Sequence, residues 1–148
     1  GGTENVYGIV GLAKALELAT KELAERTARI IDVRSYLKNR LLEEFDDISF
    51  NGDLEGDSLY TVLNVAFPPN PKNELLLLSL DIAGISCSGG SACSSGSEKG
   101  SHVLEAIGAA VDRKSIRFSF SHYNTREEVD FVIGKLKTIL PVREAVAV

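Results

Sequence analysis

Residues 6 to 45 carry one uninterrupted helical pattern, and no other feature narrows the fold as much. Apolar side chains recur at Ile9, Leu12, Leu16, Ala19, Leu23, Ile30, Val33, Leu37 and Leu41, with one lapse at Arg26. Those steps of three and four keep one stripe on one side of a helix, and charged residues fill the other faces. No Pro interrupts the run and its last Gly is Gly11. A straight helix of about 40 residues would be about 60 Å long. A globule of this chain length has a radius of gyration of only about 15 Å. The run therefore either bends into two pieces or lies along a larger body. The chain has no Met and opens on Gly1-Gly2-Thr3-Glu4-Asn5, which reads as a piece of something longer.

The rest reads as a small sheet with helices on it. Asp46-Asp47 ends the long helix, and Ile48-Ser49-Phe50 predicts a short strand closed by Asn51-Gly52-Asp53. Leu59 to Phe67 predicts a second strand, stopped by Pro68-Pro69. A helix follows from Asn73 to Ala83, with Gly84 as its stop. Ile85-Ser86-Cys87 reads as a short strand leading into the loop 86–101, and a helix follows from about Ser101 to Ala110. In Ser115–Ser121, Ile116, Phe118 and Phe120 face one way, Arg117 and Ser119 the other. Thr125-Arg126-Glu127-Glu128 opens a last helix as a capping box, running to Leu140 and ended by Pro141. The expectation is a single α+β domain, an α/β sandwich with a small, mostly antiparallel sheet. A long bent helical segment, 1–45, precedes the sandwich, 46–141, and 142–148 is a tail.

Charge and cysteine usage exclude several functions. A net charge of −5 disfavours a nucleic-acid partner, which needs clustered Lys and Arg. No apolar run approaches the roughly 20 residues of a membrane span. Two cysteines are too few for a disulfide framework, although Cys87 and Cys93 could still pair across a short loop. With no signal peptide, a reducing cytoplasm is the expected location. A metal site is not expected, because His102 and His122 are the only histidines and no CxxC spacing occurs.

Chemistry concentrates in the loop 86–101. Seven of its sixteen residues are Ser, four are Gly, and it holds both cysteines. Small, flexible residues around a thiol describe an arm that carries sulfur, whereas a structural cysteine sits among apolar neighbours. His102, at a helix entry, is a weak thiolate stabiliser by spacing alone and more simply a surface residue. Arg117 is either exposed at a sheet face or aimed at a carboxylate. Thr3, after two glycines, suggests a phosphate contact.

Four strings together carry a resemblance: Gly90-Ser91-Ala92-Cys93-Ser94-Ser95, Ser101-His102-Val103-Leu104, Ile116-Arg117-Phe118-Ser119 and Thr125-Arg126-Glu127-Glu128-Val129-Asp130. The chain resembles the C-terminal part of NifS/IscS-type cysteine desulfurases, pyridoxal-phosphate enzymes of the class V aminotransferase fold. Gly2-Thr3 with Asn5 is similar to that family's Gly-Thr motif. The resemblance implies the C-terminal small domain of a fold-type I enzyme that converts L-cysteine to L-alanine. It implies that Cys93 takes the sulfur as a persulfide and delivers it to an acceptor such as an iron–sulfur scaffold protein. Arg117 would hold the substrate carboxylate. Thr3 would reach the cofactor phosphate of a partner subunit, which implies a homodimer. The long loop marks the NifS/IscS subgroup rather than the SufS-like one.

The departures are Ser88-Gly89 where the family commonly has two serines, Asn124 for a usual Thr, and Cys87 at a usually apolar position. Cys87 is accordingly read as a buried strand residue. The family forms its Schiff base on a Lys preceded by His, and none of the eight lysines here follows His. This chain alone is therefore expected neither to hold the cofactor nor to turn over. Alternatives are a selenocysteine lyase or another enzyme of the same class, and a non-catalytic sulfur-relay or interaction domain.

Overall fold

The computed structural model describes residues 2–54, 56, 58–89 and 101–143. The long helical pattern forms a single helix, α1, Val6–Glu44, 39 residues without interruption. It does not break into two pieces. Its rise of 1.5 Å per residue makes it about 58 Å long. Asn5 caps its start, the side-chain oxygen accepting from the N–H of Gly8 at 3.0 Å.

Only the second half of α1 is covered. Ile30, Val33, Leu37 and Leu41 are buried, whereas Tyr7 is 85% exposed and Leu12 is 72% exposed. The buried stripe lies on a three-stranded antiparallel sheet of order β1-β2-β3, from Ser49–Asn51, Val62–Phe67 and Lys114–Ser119. Leu63, Val65 and Phe67 on β2 and Ile116 and Phe118 on β3 point into the same core. In register Leu63 faces Phe118 and Val65 faces Ile116. The core is completed by α2, Leu76–Ile82, through Leu76 and Leu80, and by α4, Arg126–Ile139, through Val129, Ile133 and Leu136. All helices that contribute to the core lie against one face of the sheet, which leaves the other face for polar side chains.

The expected α+β fold is therefore present, and its element ends differ in ways with local causes. The capping box of α4 is formed as read: Thr125 accepts from the N–H of Glu128, and the Glu128 carboxylate accepts from the N–H of Thr125. The second strand begins at Val62, because Tyr60 and Thr61 are still in a turn. The helix expected from Asn73 starts as a 3-10 turn over Pro71–Leu75, and α2 proper begins at Leu76. After α2, Gly84 takes φ +79, a left-handed conformation that glycine adopts without strain. That turn lets the N–H of Ile85 bond back to Leu80 and sends the chain toward β3. The expected strand at Ile85–Cys87 does not form; the chain makes one bridge to β3, at Ser88. The short helix α3 covers only His102–Ala106, since Gly108 at φ +69 ends it before Ala110.

Ion pairs fasten α4 to α1: Arg126 to Asp32, Arg40 to Asp130, and Lys137 to Glu44. All three are partly exposed, so the apolar contacts carry most of the stability. Replacing fully buried Leu41 by Ala is expected to destabilise the chain by about 2–5 kcal/mol. The same change at exposed Leu12 should stay within about 0.5 kcal/mol. Denaturant midpoints of the two variants measure the difference. Among the described residues no helix is long and apolar enough to cross a membrane.

Candidate substrate-binding site on the open face of the sheet

Alternation along β3 sets the site. With Ile116 and Phe118 buried, Arg117 between them stands on the opposite, open face and is exposed. On one side Arg117 faces Asn64 of β2, which in turn faces Asn51 of β1. On its other side it exchanges two backbone hydrogen bonds with Ser88, at 2.7 and 3.1 Å. Directly opposed residues of antiparallel strands share a face. Asn51, Asn64, Arg117 and Ser88 thus form a row across the sheet.

The row is polar and partly cross-linked. Asn51 Nδ2 donates to Asn64 Oδ1 and to Ser115 Oγ, both at 2.9 Å. The Arg117 guanidinium meets no acceptor among the described residues. Six other arginines do find acceptors: Arg26, Arg34, Arg40, Arg113, Arg126 and Arg143. Arg113, for example, pairs with Asp47 at 2.5 Å and also reaches backbone oxygens. An exposed guanidinium with no acceptor among the described residues is a group that could take a carboxylate from elsewhere.

The other sequence-derived positions fall differently. Cys93 lies outside the described residues. Cys87 is a free, half-buried thiol packed against the core, and it belongs to no strand. Burial, aided by the charge of Asp81, pushes its pKa up to about 11. His102 is exposed as the first residue of α3, behind the cap made by Ser101, whose side chain accepts from the N–H of Leu104. Thr3 is exposed just ahead of α1. The first tie between α1 and the strand region is at Thr27, whose hydroxyl donates to Tyr60 at 3.1 Å. From Val6 to Thr27 is about 30 Å of helix, so Thr3 and Arg117 of one chain are not brought together. Asn64 and Asn51 were not singled out by sequence reasoning. An amide in the middle of the otherwise apolar strand Val62–Phe67 was the available signal. Among the described residues no cluster of His, Cys, Asp and Glu could hold a metal ion.

Residues 1–132 match the family model for class-V aminotransferases. The chain belongs to the class-V aminotransferase family. It is 37% identical to a cysteine desulfurase, IscS, of Dictyoglomus turgidum, over 97% of this chain and 38% of that relative. It is 42% identical to a cysteine desulfurase of Gluconacetobacter diazotrophicus, over 94% of this chain and 35% of the relative. Among solved structures, a NifS-like protein superimposes with a TM-score of 0.73 at 35% identity, over 94% of this chain and 34% of that one. The chain thus spans little more than a third of the relatives it matches. The aminotransferase class implies pyridoxal phosphate as its cofactor. The described residues do not fit that group by themselves, for no lysine stands on the Arg117 face. The one lysine of β3, Lys114, lies three positions from Arg117 and so on the other face.

Proposed function

We propose that the chain is the C-terminal domain of a cysteine desulfurase, with Arg117 as the carboxylate anchor and Cys93 as the sulfur acceptor. The net reaction converts L-cysteine and the Cys93 thiol into L-alanine and a Cys93 persulfide. One carbon–sulfur bond breaks, one sulfur–sulfur bond forms, and the thiol proton balances the alanine C–H. The observation that carries this reading is the double hydrogen bond between Ser88 and Arg117. It ties the stem of the Cys93-bearing segment to the residue whose guanidinium meets no acceptor among the described residues. Five Cα-to-Cα steps lead from Ser88 to Cys93, which limits the distance between their Cα atoms to about 18 Å. A substrate held at Arg117 within that reach would give its sulfur to Cys93, from which an acceptor protein would take it.

The raised pKa of Cys87 supports assigning the sulfur chemistry to the other cysteine. At neutral pH a thiol with a pKa near 11 is almost entirely protonated, and only the thiolate attacks. The remoteness of Thr3 from Arg117 supports the further proposal that Thr3 serves the cofactor phosphate of a second subunit. The test is mass spectrometry of the full-length enzyme after a brief exposure to L-cysteine. The expected result is the added mass of one sulfur atom on the peptide holding Cys93 and none on Cys87. Sulfur on Cys87 alone would refute the assignment.

A further inference from the structure

Asn64 occupies the half-buried centre of the middle strand, where every neighbour from Val62 to Phe67 is apolar. An amide is poorly suited to that position, so its partners matter. Arg117 gives both its N–H and its C=O to Ser88. Its pairing with Asn64 is therefore one of the non-hydrogen-bonded pairs of the ladder. Facing Cα atoms in such pairs are about 4.5 Å apart, and the two side chains leave the same face close together. Asn51 donates to Asn64 Oδ1 from the β1 side. The same Asn51 nitrogen reaches Ser115 Oγ on β3, so the amide oxygen of Asn64 is occupied and its Nδ2 is the group left to meet a ligand.

Neither the amide nitrogen of Asn64 nor the guanidinium of Arg117 meets an acceptor among the described residues. Two donors, one neutral and one charged, thus belong to facing residues of one open face, and neither meets an acceptor among the described residues. A ligand with two oxygens on one carbon satisfies both. We propose that Asn64 is a second donor to the α-carboxylate of the amino-acid substrate, and that Asn51 is a positioning residue that fixes the amide orientation. This rests on the reading of Arg117 given above.

The test uses the full-length, cofactor-loaded enzyme and two ligands: L-cysteine, and 2-aminoethanethiol, the same molecule without its carboxylate. Asn64→Ala is expected to raise KM for L-cysteine roughly tenfold or more, with kcat nearly unchanged, as loss of a hydrogen bond to a charged group should. Inhibition by 2-aminoethanethiol should be unchanged. Asn51→Ala should show the same carboxylate-selective rise to a smaller extent. If Asn64→Ala does not fold, judged by circular dichroism and the cofactor absorbance, Asn51→Ala carries the test. An unchanged KM in these variants, while Arg117→Ala raises it, overturns the role of Asn64 alone. Equal weakening of both ligands also overturns it, because that is a general distortion of the site. Indifference of KM to Arg117→Ala overturns the anchor reading, and the inference with it.

Discussion

Replacing Cys93 by Ser in the full-length enzyme is expected to lower sulfur release from L-cysteine by at least about a thousandfold, while cofactor binding is retained. The hydroxyl of serine does not ionise at neutral pH and cannot form the sulfur–sulfur bond that stores the product. Nothing in the described core depends on residue 93, so the fold should be indifferent to the change. The visible absorbance of the bound cofactor reports retention, and sulfide released under reducing conditions reports activity. The control is Cys87→Ser. With its thiol pushed up to about 11, only about one molecule in ten thousand carries a thiolate there at pH 7. Loss of that thiol should leave turnover near its original level. Robust activity in Cys93→Ser would remove the sulfur-carrier assignment.

The second large effect is expected at Arg117. Arg117→Ala should raise KM for L-cysteine about a hundredfold, since a charged, two-pronged hydrogen bond to the substrate carboxylate is lost. Arg117→Lys should recover only part of this, because an ammonium supplies the charge without the planar fork. Stability should move in neither variant by more than about 0.5 kcal/mol, for the guanidinium has no partner among the described residues and the side chain is exposed. Steady-state kinetics set against denaturant midpoints separate the two effects. A fall in stability with unchanged KM would make Arg117 a structural residue. The neighbouring Arg113 shows the contrast: its contacts with Asp47 and Ala66 are internal, and it has no comparable call on a ligand.

What could be read from the residues was what local chemistry decides. The stripe Ile30, Val33, Leu37 and Leu41, the box formed by Thr125 and Glu128, and the alternation around Arg117 are written in spacings of two to four residues. Each appears in the fold where it was expected. The misreadings arose where pairing or a single backbone turn decides. Ile85–Cys87 has strand-like residues, yet among the described residues the chain bridges to β3 at Ser88 instead. Gly108 ended α3 early because a left-handed residue stops a helix regardless of the apolar pattern around it. The row from Asn51 through Asn64 to Arg117 joins positions far apart in the chain. No spacing rule connects them, and only the register of the sheet does. The resemblance to cysteine desulfurases supplied Arg117 directly but said nothing of its amide neighbour.

The length of α1 has a mechanical consequence. The helix is gripped by the core from Ile30 to Leu41, and its other end runs on with no described residue covering it. About 36 Å of stiff rod separate Ile30 from Val6, so a tilt of about 5° at the gripped end displaces Thr3 by about 3 Å. A displacement of that size is enough to make or break a hydrogen bond. Any change of tilt where the sheet meets the helix would be levered to the far end of α1 in that proportion.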